Sequence, residues 1–251
     1  MKAFIGTSGW QYKHWNARFF PEDLPKKDWL NYLSQKFNTV EVNTTFYHMA
    51  RASTFEKWRI ESEKGFIFTL KMYRLFTHFK KLDLSKEDLE TLNAFIKNAK
   101  GLKEKFGPIL IQFPPSFKAD YEKLINFISN LRKIEKKNKV KLKIATEFRH
   151  GTWFNEETYK LLKKLKIALV ITNSPKWPYA IKKTTDFVYM RFHGRTKLFA
   201  SNYTEEELRE WKKVLQGLKA KNTYAYFNND ANAYAADNAL YLKKLFGKVK
   251  A

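Results

Sequence analysis

Short runs of apolar or strictly alternating residues recur along the chain, separated by longer segments whose apolar positions repeat every three to four residues. The short runs are AFIGT (3–7), TVEVN (39–43), FIFTLK (66–71), PILIQF (108–113), KIATEF (143–148), ALVITN (168–173), FVYMRF (187–192) and TYAYFN (223–228). Their β-branched and aromatic content predicts eight strands, and the intervening segments predict helices or loops, the alternation expected of βα units around a parallel sheet. Local signals mark the helix starts. Ser85 with Asp88 and Thr204 with Glu207 have capping-box spacing, predicting helices that run to about residues 105 and 220; Asp120 and Asn155 stand as N-caps for helices near 121–137 and 156–165.

Strands spaced about 28 residues apart predict an α/β fold of the (β/α)8 TIM-barrel type, with residues 1–251 as a single domain and a polar cleft at the C-terminal ends of the strands. The rival is a doubly wound open sheet, but GTSGW after the first strand lacks the third glycine of a nucleotide-binding turn. Parity separates the two further. Val40 and Val42 share one face of the second strand while Glu41 and Asn43 share the other; Glu147 and Arg149 oppose Thr146 and Phe148; Arg191 and His193 oppose Met190 and Phe192. Central strands of an open sheet are covered on both faces and read as nearly all apolar. A polar series facing a barrel interior fits better, and Lys71, Gln112, Asn228 and Asp230 continue it. The histidines His14, His48, His78, His150 and His193 each follow a predicted strand, and none falls in a predicted helix. That is the end of a barrel where functional residues gather.

Charge changes the picture. Forty-eight Lys and Arg against 25 Asp and Glu leave +23, well beyond the magnitude of about 2 to 8 that solubility asks of a small domain, and imply an anionic partner or compartment. A 17% aromatic and 44% hydrophobic content excludes a disordered basic tail. The absence of cysteine excludes disulfide frameworks, thiolate nucleophiles, zinc knuckles and iron–sulfur ligation. The N-terminal MKAFIGTSGW does not read as a signal peptide and no 18-residue apolar stretch occurs, so the expectation is a soluble cytoplasmic protein without a membrane partner. Much of the excess sits in RKIEKKNKVKLK (132–143) and KLLKKLK (160–166). Those runs read either as a nucleic-acid-binding surface or as a solvated face favoured by helix C-termini.

These motifs resemble those of the DUF72 (YecE-like) family, an uncharacterised group of βα-type barrels. The resemblance spans nearly the whole chain: IGTSGWQYKHW (5–15), FFPEDLP (19–25), VEVNTTFY (40–47), the Lys71, Arg74, Thr77, His78 series, QFPPSF (112–117), EFRHGTWF (147–154), YMRFHG (189–194) and YFNNDANAYAADNA (226–239). It departs from the family pattern at MARAST (49–54), which lacks the usual proline, and at Met72 and Phe76. The resemblance implies a barrel with a cleft, and it places Glu41, Asn43, Lys71, His78, Gln112, Glu147, Arg149, His150, Arg191, His193, Asn228, Asn229 and Asp230 at the family's polar motif positions. It implies no particular reaction.

Several chemistries are open to such a cleft. Glu41 and Glu147 read as an acid/base pair, or else as a structural network in which Glu147 pairs with Arg149 or Arg191 and Glu41 with Lys71. Lys71, Arg149 and Arg191 suit a phosphate or carboxylate. His193, with Glu41, Glu147 and Asp230, completes the candidate catalytic set. Asn43, His78, Gln112, His150, Asn228 and Asn229 are candidate substrate contacts, although the parity of Asn229 also suits bracing the turn. Trp10, Tyr12 and His14 of the first loop read as a stacking wall or as part of a hydrophobic plug. A divalent metal on some combination of His78, His193, Glu147 and Asp230 is a further option, with no HExxH, HxH or facial-triad spacing behind it. The expected function is acid/base chemistry on a phosphorylated or polyanionic substrate, for example phosphoester hydrolysis. The alternatives are a noncatalytic nucleic-acid-binding barrel and a small-anion-binding protein.

Overall fold

A computed structural model describes residues 1–247. Eight parallel strands, β1 (Lys2–Thr7), β2 (Thr39–Val42), β3 (Ile67–Lys71), β4 (Phe106–Gln112), β5 (Ile144–Glu147), β6 (Ile167–Asn173), β7 (Phe187–Phe192) and β8 (Asn222–Phe227), form one sheet in the order β1-β8-β7-β6-β5-β4-β3-β2. The sheet curls until β1 meets β2, making the expected (β/α)8 TIM-barrel-like fold. This seam has little ladder of its own. A bridge joins Ser8 to Glu41, and the Asn38 amide accepts from the Ile5 N–H at 2.9 Å and donates to the Ala3 carbonyl at 2.8 Å. One side chain thus satisfies two backbone groups that a neighbouring strand would otherwise pair.

The helices are α1 (Trp29–Lys36), α2 (Thr44–Tyr47), α3 (Ala52–Glu61), α4 (Lys86–Ala99), α5 (Tyr121–Lys137), α6 (Glu156–Leu165), α7 (Glu205–Gly217) and α8 (Tyr234–Phe246). Ser85 and Thr204 make complete capping boxes, and the Asp120 and Asn155 side chains accept from the Lys123 and Thr158 N–H groups. Two ends fall short of expectation. Helix α4 stops at Ala99 rather than near residue 105, because the chain tightens into 3₁₀ turns that carry the Lys105 ammonium onto the end of α3, where it donates to the Arg59 and Ser62 carbonyls at 2.8 and 2.7 Å. Helix α7 stops at Gly217, and Lys219 turns left-handed (φ 47°) two residues later. The β6–β7 connection, residues 174–186, contains no helix.

Parity sorts the side chains into two cores. Val40, Val42, Ile144, Val188 and Met190 pack outward in the larger cluster between strands and helices. Phe4, Leu110, Ala145, Ala168, Val170, Phe187, Tyr189, Tyr224 and Tyr226 fill the barrel axis. The Tyr226 hydroxyl is satisfied within that plug by Thr39 and Thr69, at 2.8 and 2.6 Å. Apolar side chains thus occupy the lower part of the axis, and the next inward positions along β2, β3, β4, β5 and β7 are Glu41, Lys71, Gln112, Glu147 and Arg191.

Candidate anion-binding cleft

Arg191 is the hub of the layer above the plug. Its Nε and Nη2 donate to the two carboxylate oxygens of Glu41 at 3.0 and 2.7 Å, and Nη1 donates to Glu147 Oε2 at 2.5 Å. All three side chains are at most 1% exposed. Glu41 accepts two further bonds, from the Tyr189 hydroxyl at 2.6 Å and the Ser8 hydroxyl at 2.7 Å. Burial pulls the Glu41 carboxyl upward, but the Arg191 charge and these donors outweigh it and hold it below the usual carboxylate range. Burial acts on Glu147 in the same sense, and Arg191 with Arg149 holds it well below that range. Both acids are therefore ionised and closed off from solvent.

Above this floor lies a cavity of about 740 Å³. Its walls carry Lys71, Arg74, Arg149 and Arg191, the polar groups Gln11, Asn43, Thr44, His78, Gln112 and Asn228, and the aromatic rings of Trp10, Tyr12, Phe46, Tyr47 and Phe199. No carboxylate among the described residues lines it. Arg149 is locked on two sides: Nε donates to Glu147 Oε1 at 2.7 Å, and the guanidinium lies 3.5 Å from the Trp177 ring centroid. Its two terminal nitrogens have no hydrogen-bond partner among the described residues, which leaves a held fork facing the cavity. The Lys71 ammonium sits 4.1 Å from the centroid of Phe46 and likewise has no carboxylate within 4.0 Å among those residues. Burial and then the Arg191 charge bring this amine down to about 7, against the opposing pull of Glu147 and Glu41.

His78 lies in a π-helical turn, Leu75–Phe79, and His14 in a 3₁₀ turn, Lys13–Trp15, so two histidines do occupy helical segments, contrary to expectation. The π-helical kind inserts one extra residue per turn and re-aims a side chain. Gln112 Nε2 approaches His78 Nε2 at 3.4 Å, and His78 Nδ1 is 2.8 Å from the Thr77 hydroxyl. With Gln112 as donor, the ring proton sits on Nδ1 and the Nε2 lone pair accepts from Gln112 at the wall of the cleft. Burial, then Lys71, Arg149 and Arg74, push His78 down to about 4, so the ring is neutral at pH 7. His193 is fully buried behind Arg191, with Nε2 3.3 Å from Arg191 Nη1 and Nδ1 3.2 Å from the Asn228 amide. Burial and the Arg191 charge bring it to about 4 as well.

The remaining sequence candidates divide. Trp10 and Tyr12 line the cavity, while His14 lies 2.9 Å from the Asp230 carboxylate and the Trp15 indole donates to the other Asp230 oxygen at 2.7 Å. Asp230 therefore anchors the first loop and does not enter the cleft. Asn229 is buried and donates to the Ser201 carbonyl and the Asn238 amide, bracing the β8–α8 turn. His150 accepts from the Thr152 N–H at the head of a short 3₁₀ turn, away from the cavity. Lys71 does not pair with Glu41, because Arg191 reaches across the barrel axis and takes both oxygens. Nor do His78, His193, Glu147 and Asp230 come together: among the described residues no group of three or more His, Asp or Glu side chains is placed to hold a metal. Tyr189, Ser8 and Phe199 were not anticipated. Tyr189 shares the parity of Arg191 and was legible on that ground, whereas Ser8 and Phe199 lie beyond strand ends, where period two gives no signal.

The two basic runs lie at the other end of the barrel. Arg132, Lys141, Lys143, Lys164 and Lys166 line a cavity of about 880 Å³ beneath the starts of β5, β6 and β7 together with the carboxylates of Glu135 and Asp186, and Arg132 pairs with Glu135 at 2.8 Å. No helix among the described residues is long and apolar enough to cross a membrane.

A family model described as "Protein of unknown function DUF72" matches residues 4–251. The chain is 27% identical to the UPF0759 protein YunF of Bacillus subtilis, over 96% of this chain and 94% of that protein. It superposes on a DUF72 family protein of Thermotoga maritima with a TM-score of 0.84 at 31% identity, over 99% of this chain and all of the other. A DUF72 family protein of Enterococcus faecalis gives 0.80 at 22% identity, covering 99% and 97%. At 10% identity the likeness extends to distant enzymes of related barrel shape, such as a D-psicose 3-epimerase at a TM-score of 0.55, and there it is a likeness of fold alone.

Proposed function

The chain belongs to the DUF72 family, and from the cleft that its barrel builds we propose that it binds a small phosphorylated or polyanionic molecule and performs acid/base chemistry on it through His78. One observation carries this reading: four basic side chains, Lys71, Arg74, Arg149 and Arg191, line a cavity that no carboxylate among the described residues lines. The acids beneath balance Arg191 and Arg149, so the excess positive charge reaching a ligand comes from Arg74 and the protonated share of Lys71, and it is concentrated by the low-dielectric walls. The open Arg149 fork matches two oxygens of a phosphate or carboxylate, and the Trp10 and Tyr12 rings that line the cavity suit the uncharged part of the ligand. The neutral His78 Nε2 is the base beside it, and its lone pair is freed when the long 3.4 Å contact from Gln112 gives way to the ligand or its water. In a phosphoester hydrolysis that nitrogen takes the proton of the attacking water and returns it to the leaving alkoxide; Glu41 and Glu147 position the cations and do not exchange protons.

Calorimetric titration with a sugar phosphate and with the same sugar unphosphorylated tests the reading. The phosphorylated sugar is expected to bind and the neutral one not, and Arg149→Ala to weaken binding about 10-fold or more, the effect of losing a charge-assisted pair. Equal binding of both sugars, or an Arg149→Ala variant that binds as the parent does, overturns it.

A second reading, nucleic-acid contact, draws on the five cations around the opposite cavity. It expects binding of a DNA duplex that falls steeply between about 50 and 200 mM salt, is unaffected by Arg149→Ala, and is lost when Lys141, Lys143, Lys164 and Lys166 are replaced by Gln.

A further inference from the structure

The geometry points to Lys71 as a covalent attachment point: we propose that its amine forms a Schiff base with an anionic carbonyl compound held in the cleft. The inference rests on the anion-binding reading above and narrows the ligand to a molecule with an aldehyde or ketone group close to its phosphate or carboxylate.

Three features single out this amine. Among the described residues, Lys71 is the one lysine that lines the cavity. Its nitrogen has no carboxylate among the described residues to hold its proton, because Arg191 takes both oxygens of Glu41 and Arg191 with Arg149 takes those of Glu147. Its position is also firm: it ends β3, the Thr45 hydroxyl donates to its carbonyl at 2.8 Å, and the next residue, Met72, donates to the Leu110 carbonyl of β4 at 2.8 Å. The stem is thereby held against Phe46 rather than extended into water. An amine brought down to about 7 is about half neutral at pH 7, whereas an ordinary lysine near 10.4 is neutral to well under about 0.1%. Only the neutral form is a nucleophile.

The chemistry balances without an added oxidant or reductant. The lone pair of the neutral Nζ forms the N–C bond as the C=O π pair moves to oxygen. The new ammonium gives one proton to that oxygen, with His78 Nε2 of the same cavity as the carrier once it has exchanged its contact to Gln112, producing a carbinolamine. Protonation of its hydroxyl releases water while the nitrogen lone pair closes the C=N bond. The sum is amine plus carbonyl plus one proton, giving iminium plus water. Arg149 keeps the anionic group of the ligand in place throughout, and the neighbouring cations favour the neutral amine over the ammonium before attack.

The experiment is reductive trapping on the full chain with cyanoborohydride, using glycolaldehyde phosphate, glyoxylate and uncharged glycolaldehyde as probes, followed by digestion and mass spectrometry. Lys71 is expected to carry the reduced adduct with the two anionic probes at least about 10-fold faster than any surface lysine, since far more of it is unprotonated. The rate should rise through pH 7 and level off above it. Inorganic phosphate should protect it, and Arg149→Ala should slow it while leaving surface labelling unchanged. The glyoxylate and glycolaldehyde phosphate arms separate a carboxylate from a phosphate ligand. If Lys71 is labelled no faster than surface lysines while calorimetry still shows sugar-phosphate binding that depends on Arg149, the covalent role is wrong and the anion-binding reading stands. If uncharged glycolaldehyde labels Lys71 as fast as the anionic probes do, the amine is reactive but the anion reading fails.

Discussion

Replacing Arg191 with Met is expected to destabilise the protein by roughly 3–5 kcal/mol, the range for removing one partner from a buried ion pair. The expectation follows from the arrangement more than from the arginine itself. Glu41 and Glu147 are both 0% exposed, and the guanidinium reaches both of them through three nitrogens. Removing it strands two carboxylates in a space closed below by Tyr189 and Tyr226, with Arg149 still holding one oxygen of Glu147. The midpoint of thermal unfolding is expected to drop by on the order of 10 °C for a chain of this length.

The pH dependence identifies the cause. In the parent protein both carboxyls are held below their unfolded values, so they contribute stability above the ordinary carboxylate pKa of about 4.3 and lose it as pH falls through their folded values. In Arg191→Met the burial that Arg191 outweighs acts largely unopposed, and at least Glu41 rises above its unfolded value. That group then costs stability increasingly as pH rises from about 4 towards its new folded pKa. The gap between parent and variant should therefore be widest near pH 7 and narrow towards pH 4. Denaturant titrations at both pH values check this. Adding Glu41→Gln and Glu147→Gln to Arg191→Met should recover part of the loss at pH 7, because neither fully buried carboxylate is then left without its cation; the recovery is partial because Arg149 loses its bond to Glu147. A gap independent of pH, with no recovery in the triple variant, rules out the stranded-charge account.

The distribution of what could be read in advance has a physical basis. Strand positions and inward faces were legible because alternation is a local property: β5 was expected at 143–148 and runs Ile144–Glu147, and Glu41, Glu147 and Arg191 do face the axis. Partners across the axis were not legible. Lys71 on the adjacent strand looks like the natural mate of Glu41, yet Arg191, 150 residues away in sequence, takes it. Parity says that a side chain points inward but not how far it reaches, and a guanidinium spans the axis where an ammonium on the neighbouring strand is held aside by Phe46. Beyond the strand ends the period itself lapses. Asp230 continues the count from Asn228, but the β8–α8 loop turns it towards Trp15, and His150 caps a turn. In the same way Trp177, on a helix-free connection, becomes the plate beneath Arg149 without any periodic signal to announce it.

The same distinction between local pattern and closure governs a glycine at the seam. Gly6 looks unremarkable in the run AFIGT, but a Cβ built there would lie 2.0 Å from the Thr39 carbonyl oxygen and 3.0 Å from its carbon, both backbone atoms of β2. Flexible side chains elsewhere can yield to such a group; a strand backbone cannot without moving β1 and β2 apart. Separation would strain the Asn38 bonds to Ile5 and Ala3 and the Ser8 bond to Glu41, which together hold a seam that has few ladder bonds. Gly6→Ala is thus expected to cost about 3 kcal/mol or more, at or above the upper end for overpacking, and to lower the thermal midpoint by about 6–12 °C. Gly217→Ala is the control, since a Cβ there has no neighbour within 4 Å, and it should be neutral or slightly stabilising as a helix-end replacement. Because Ser8 fixes one oxygen of Glu41, opening the seam also loosens Arg191 and the floor of the cleft, so Gly6→Ala should weaken sugar-phosphate binding in calorimetry although it touches no cleft residue. Equal midpoints for the two alanine variants would show that β1 and β2 can part freely, and the seam would then have no hold on the Arg191 layer.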